Sequence, residues 1–179
     1  MEFFTLFIKK FLRYILKPLS FLPALIMMYF IYNFSSQTGS ESGSLSYEIS
    51  KIIVLAYNKL LLKGYDNITL NELIAFIHPY VRKSAHITEY FLLAASISFP
   101  LYVYRIRGFA LTLLAGIFCV GFACLDEYHQ TFVSGRVGNS HDVLIDSIGI
   151  LIGIITVRIV GFIGRKTIFS FLSLDENRR

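Results

Sequence analysis

The chain has 179 residues, 55% of them hydrophobic and 16% charged, with a mean hydropathy of +0.61. A soluble domain usually carries about a quarter charged residues, so this composition excludes an ordinary soluble fold, and the length fits one domain over residues 1–179. The net charge of +5 comes without a basic face interleaved with aromatics, which excludes nucleic acid as an expected partner and points to the Lys and Arg of cytoplasmic loops.

A helix needs about 20 mostly apolar residues to cross a bilayer. The first such run is LKPLSFLPALIMMYFIYNF, residues 16–34. Basic residues precede it as in a signal peptide, but no clear small-residue cleavage site follows, so an uncleaved helix is expected. The stretch SSQTGSESGS, residues 35–44, reads as a loop. Leu45, Ile49, Ile52, Ile53, Ala56 and Leu60 then recur at helical spacing. Residues 45–63 are expected to form an amphipathic helix, either lying on the outer membrane surface or capping the bundle. Thr69 and Glu72 form a candidate capping box before LIAFIH, and Pro79 is expected to break that helix before a second span starts.

The second span is HITEYFLLAASISFPLYVY, residues 86–104, and a tight turn with Arg105 and Arg107 leads into the third, GFALTLLAGIFCVGFACL, residues 108–125. A Gly- and Ser-rich turn, SGRVGNS, separates it from the fourth, VLIDSIGILIGIITVRIVGFI, residues 143–163. Pro18, Pro23 and Pro100 do not exclude spans, because neighbouring helices can satisfy freed backbone groups. Cys119 and Cys124, five apart on one helix, point in different directions and read as buried small apolar residues rather than a disulfide or a metal pair. The expected fold is all-α: a polytopic membrane protein of about four transmembrane helices, with an amphipathic helix in an outer insert over residues 35–85.

Lys9, Lys10, Arg13, Lys17, Arg105, Arg107, Arg165, Lys166, Arg178 and Arg179, ten residues, fall on one side of this arrangement. Lys51, Lys59, Lys63, Arg82, Lys83 and Arg136, six residues, fall on the other, and Arg158 near the end of span four can snorkel to the richer side. Both termini are therefore expected in the cytoplasm.

The ionisable residues gather at the opposite, outward ends of spans two, three and four. Arg82, His86 and Glu89 share one helical face. At the end of span three, continuation of the helix would put Asp126 beneath His129 and Glu127 beneath Gln130. Asp142 and Asp146 share a stripe with Gly149 and Gly153, and this GxxxG lets another helix approach, so both carboxylates are expected to face the bundle. Short connections make the three spans neighbours, and the polar groups are expected to meet in one pocket at the lipid–water boundary. A plainer alternative is that Arg82 or Arg136 pairs with Asp126 or Asp142 and merely locks the helices. The number of ionisable groups exceeds what locking requires, and intramembrane charge is functional by default.

The pieces RKSAHITEYFLL, DEYHQTFVSGR and SHDVLIDSIGILIG resemble the VanZ-like family of bacterial membrane proteins. The family pattern falls on Lys83, His86, Glu89, Tyr90, Asp126, Glu127, Gln130, Gly135, Arg136, Asp142, Asp146, Gly149 and Gly153, and SSQTG at 35–39 looks like the polar end of span one in relatives. The resemblance covers residues 82–153; the insert near 40–80 is less typical. It implies a multi-pass protein of the bacterial plasma membrane, acting in the cell envelope and linked to resistance against the glycopeptide teicoplanin.

Three functions are compatible with these residues. In the first, the protein acts on a lipid-linked, phosphate-bearing cell-wall precursor. Arg82, Lys83, Gln130, Arg136 and Asp146 would hold the headgroup, and His86, Glu89, Asp126, Glu127 and Asp142 would supply proton chemistry. No Ser or Cys motif marks a nucleophile. No cofactor is expected, although His86, Glu89 and Glu127 offer donors that suit a divalent ion, a choice opposed by the nearby cations. In the second, the pocket binds envelope lipid or the glycopeptide target without turnover. In the third, the protein is a small transporter, which the clustering of charge at one mouth disfavours. His129 reads equally as a surface residue, and His78 and His141 read as loop or interface histidines.

Overall fold

The computed structural model of the protein describes residues 17–166. Within them are five long helices: α1 Leu22–Ser35, α2 Gly39–Leu60, α3 Asn67–Val103, α4 Gly108–Gln130 and α5 Ser140–Lys166, and no described residue is in a strand. Three helical segments are long and apolar enough to cross a membrane: Lys17–Ser35, Gly108–Gln130 and Ser140–Gly164. The fourth span is the C-terminal half of α3, whose apolar content is diluted by His86, Glu89 and Tyr90. The chain is an all-α polytopic membrane protein. Lys9, Lys10, Arg13, Arg178 and Arg179, which carry part of the orientation argument, lie outside the described residues, as do the side chains of Arg165 and Lys166.

α3 is the hub. It touches each of the other four helices, and its contact with α5 is the most extensive in the bundle. That contact depends on the GxxxG of α5. A Cβ on Gly149 would overlap the Ile87 carbonyl oxygen, and one on Gly153 would come within 2.5 Å of the Phe91 carbonyl oxygen. Bare backbone on α5 thus lets α3 approach closely enough for its own carbonyl groups to form the contact surface. Around this seam Tyr90, Leu93, Ala94, Ala115, Cys119, Ala123, Ile150 and Ile154 form the core. Cys119 is buried there as expected, but Cys124 is exposed on the outside of α4, a position that suits an apolar thiol facing lipid.

Three local expectations need correction. The helix expected from residue 45 begins at Gly39, because Thr38 and Glu41 form a capping box: the Glu41 backbone N–H donates to the Thr38 hydroxyl, and the Glu41 carboxylate accepts from the Thr38 backbone N–H at 2.9 Å. These bonds hold the Glu41 carboxyl below the ordinary carboxylate range. A depressed pKa means the cap is present at neutral pH and is lost as pH falls through that lowered value. Loss of the Thr38 hydroxyl in Thr38→Ala is expected to raise amide exchange in the first turn of α2 about fivefold, read by hydrogen–deuterium exchange.

The capping box expected at Thr69 and Glu72 is instead a single Asp66 cap, whose carboxylate accepts from the Thr69 backbone N–H at 3.2 Å. Finally, Pro79 does not break the chain into two helices. α3 runs unbroken through Pro79 and Pro100 for 37 residues. α2 packs beside the first half of α3, where His78 meets Ser46, and α5 beside the second, where Gly149 and Gly153 meet Ile87 and Phe91.

At 1.5 Å per residue α3 is about 55 Å long, well beyond the roughly 30 Å hydrocarbon layer. Its N-terminal part pairs antiparallel with α2. His78 anchors the pair, with Nε2 2.8 Å from the Ser46 hydroxyl and 3.2 Å from the Gly43 carbonyl oxygen. His78 is thus an interface histidine on a helix. Ser42, Ser46 and Ser50 recur every fourth residue, and the small, buried Ser46 and Ser50 allow the two helices to close.

Candidate functional site

The polar ends of the helices enclose a cavity of about 110 Å³. Each wall comes from a different part of the chain: Ser35 and Gln37 from the end of α1, Ser42 and Ser46 from α2, Arg82, His86 and Glu89 from α3, Asp126 and Gln130 from α4, and Arg136 from the loop that follows. Ile31, Phe34, Leu45 and Ile49 complete it as an apolar flank. The spanning segments end at Ser35 and Gln130 and restart at Ser140, so the cavity sits at the membrane boundary.

Of the residues singled out in the sequence, Arg82, His86, Glu89, Asp126, Gln130 and Arg136 line this cavity. The helix of span three continues to Gln130, which places Asp126 one turn before His129 and Glu127 one turn before Gln130 as expected. The Gln130 side-chain amide donates to Asp126 Oδ2 at 3.1 Å, one turn apart, while the His129 ring packs against Tyr32 with centroids 5.0 Å apart. Behind His86 lies Asp146 of α5, fully buried, with Oδ1 3.7 Å from His86 Nδ1. No hydrogen bond reaches either Asp146 oxygen. Since Nδ1 is enclosed, Nε2 is the ring nitrogen left for the cavity.

Four candidate residues take other positions. Lys83 is exposed and absent from the cavity, because one residue further along α3 turns the side chain by about 100°. Glu127 is buried, but its Oε2 accepts the Asn139 backbone N–H at 2.9 Å, which fastens the α4–α5 loop. Asp142 stands in the first turn of α5, partly exposed and outside the cavity. Asp146 lies behind His86 rather than among the residues that would meet a headgroup. Consequently His86, Glu89 and Glu127 do not converge, and among the described residues no three His, Cys, Asp or Glu side chains are grouped to hold a metal ion.

The helix-locking alternative fares no better. Among the described residues neither Arg82 nor Arg136 forms an ion pair with Asp126 or Asp142; the ion pairs there are Lys51–Glu48 and His86–Asp146. Arg136 instead donates through Nη2 to the Phe34 carbonyl oxygen at 2.8 Å. This bond, and that from the Gly39 N–H to the Ser134 carbonyl oxygen at 3.0 Å, fasten the loop over the ends of α1 and α2. Burial, reinforced by the like charge of Arg82, lowers the Arg136 pKa from the ordinary guanidinium value. It remains protonated at neutral pH. Two arginines thus share one small space with Glu89 and Asp126, none of them ion-paired with another among the described residues, so guanidinium donors stay open to an anion.

Ser35, Gln37, Ser42 and Ser46 also line the cavity and were not singled out in the sequence. The four-residue spacing of Ser42, Ser46 and Ser50, which sets three small polar residues on one helical face, was the available signal. The insert over residues 35–85 therefore supplies Ser35, Gln37, Ser42, Ser46 and Arg82 to the site.

The sequence matches the VanZ/LLP1 family model over residues 20–161, which takes in all five walls of the cavity. The chain belongs to the VanZ/LLP1 family. No curated protein and no solved structure matches it. The match extends well beyond the three pieces at 82–153, so the α2 segment lies within the region that defines this VanZ/LLP1 protein.

Proposed function

We propose that this VanZ/LLP1 protein recognises the anionic headgroup of a lipid-linked cell-wall precursor at the extracytoplasmic face of the bacterial plasma membrane, in a role connected with teicoplanin resistance. The observation that carries this reading is the meeting of two arginines, Arg82 and Arg136, neither in an ion pair among the described residues, beside Glu89 and Asp126 in a membrane-boundary cavity with an apolar flank. A phosphate satisfies both guanidinium groups, with planar donors matched to its oxygens, while the prenyl chain remains against Ile31, Phe34, Leu45 and Ile49. The excess of Lys and Arg on the opposite side of the sequence supports an outward-facing cavity and cytoplasmic termini.

His86 is the group in this reading that exchanges a proton with bound lipid phosphate. Its Nε2 faces the cavity and Asp146 supports the ring from behind. Glu89 is the second base within reach of the cavity. Binding without turnover, as an accessory protein for envelope lipid, draws support from the hydrogen bonds that already occupy Asp126 and Glu127.

The test compares geranylgeranyl phosphate with geranylgeraniol, titrated into the reconstituted protein. The phosphate is expected to bind and the alcohol not to. Arg82→Ala and Arg136→Ala are each expected to weaken phosphate binding at least about tenfold. Equal affinity for phosphate and alcohol would sink the proposal. Phosphate release that stops in His86→Ala would place the protein among enzymes, and saturable binding without release would make it an accessory protein.

A further inference from the structure

At the other end of the bundle the same helices form a second cavity of about 500 Å³, between the end of α3, the start of α4 and the distal half of α5. Two arginines line it, Arg107 and Arg158, and no carboxylate does. Each is held in place by a contact that does not neutralise its charge. The Arg107 guanidinium lies 5.3 Å from the centre of the Tyr102 ring, and the Tyr102 hydroxyl donates to the Gly161 carbonyl oxygen at 2.8 Å. The aromatic platform is thereby fixed between α3 and α5. Arg158 donates through Nη1 to the Thr112 hydroxyl at 2.9 Å, a single bond that bridges α5 to α4. Among the described residues neither arginine forms an ion pair.

Two further features fit an anion with an apolar tail. α4 starts beside Arg107 with no side-chain cap, so the backbone N–H groups of its first turn, from Gly108 onward, lack that partner. Ile155, Ile159 and Phe162 of α5 line the same cavity and are each about half exposed, forming an apolar strip that continues into the lipid-facing surface.

From this we infer that the cavity formed by Tyr102, Arg107, Arg158 and the Ile155–Phe162 strip is a binding site for an anionic phospholipid of the leaflet opposite the His86 cavity. The phosphate lies between the two guanidinium groups and an acyl chain follows Ile155, Ile159 and Phe162. A lipid-embedded pair of basic residues at a helix junction is suited to this ligand, because each charge near the surface favours an anionic headgroup. The site is independent of the reading given for the His86 cavity.

The experiment is native mass spectrometry of the full chain released from micelles doped with phosphatidylglycerol or phosphatidylcholine. Retention of phosphatidylglycerol over phosphatidylcholine is expected. Its retention should fall about fivefold in Arg107→Gln or Arg158→Gln and about thirtyfold in the double variant, while Arg82→Gln/Arg136→Gln keeps it. Loss in the Arg82/Arg136 variant alone would move the preference to the other cavity and overturn the proposal. Equal retention of the two lipids by the wild type would also overturn it. Inorganic phosphate at millimolar concentration distinguishes the sources of the anion: displacement of phosphatidylglycerol by phosphate alone would reduce the site to a general anion site and refute the lipid assignment.

A second measurement serves if the double variant fails to fold. Phosphatidylglycerol with a photoreactive acyl chain is expected to label the wild type within residues 155–162. Labelling spread evenly over the exposed apolar residues of α1, α4 and α5 refutes the assignment.

Discussion

Gly149→Val is expected to unfold at a markedly lower temperature than the wild type, with a loss of about 3 kcal/mol or more. The reason is the nature of the neighbour. A side chain at residue 149 meets the Ile87 carbonyl group, which is backbone and cannot rotate away. Relief requires α3 and α5 to separate along the most extensive contact in the bundle. The same separation draws His86 away from Asp146, since His86 adjoins Ile87 and Asp146 lies one turn before Gly149. Stability and lipid binding should therefore fall together. Gly121→Val is the control: nothing lies within 4 Å of a Cβ there, and it should melt close to the wild type. Thermal unfolding in micelles, followed by size exclusion, reads both. A Gly149→Val protein that melts with the wild type would show that the two helices do not approach as described.

Asp146→Asn is expected to act in the opposite direction on stability. Asp146 is fully buried, and neither carboxylate oxygen receives a hydrogen bond. A charge taken from water with one imidazole 3.7 Å away recovers little of its desolvation cost. An amide of the same shape carries no charge but still buries polar atoms, so it offsets that cost only in part, and the variant should be as stable as the wild type or more stable by up to about 1 kcal/mol. Its affinity for a prenyl phosphate should nevertheless fall about tenfold, because His86 loses the carboxylate that supports its charged form. Stability and function then separate, which a purely structural role for Asp146 does not produce. Melting temperature and lipid-phosphate titration on the same sample decide it: a destabilised Asp146→Asn with unchanged affinity would falsify the functional role.

The spans and the convergence of Arg82, His86, Glu89, Asp126, Gln130 and Arg136 could be read from sequence because both rest on local rules. Apolar runs of bilayer length leave few alternatives, and polar residues near the ends of adjacent spans have only the membrane boundary to occupy. Partners across the fold were less visible. Nothing near Asp146 in sequence announces His86, sixty residues away, and Glu127 looks like a free base until Asn139 folds back onto it. The start of α2 was obscured by composition. Seven of the ten residues at 35–44 are Ser or Gly with helix-poor propensity, yet the Thr-x-x-Glu spacing at 38–41 outweighs them locally. Pro79 misled for a related reason: the rule that proline stops a helix is local, and the packing of α2 beside this stretch, through His78, Ser46 and Gly43, is a neighbour that sequence spacing does not reveal.

The unbroken α3 also fixes a length. His86 and Tyr102, one at each cavity, lie sixteen positions apart on this helix, a rise of about 24 Å. That is less than the roughly 30 Å of a hydrocarbon layer, which the segments Gly108–Gln130 and Ser140–Gly164 are long enough to cross. Each cavity therefore reaches inward from its membrane surface, and a headgroup entering either one must sink below its neighbours in the leaflet.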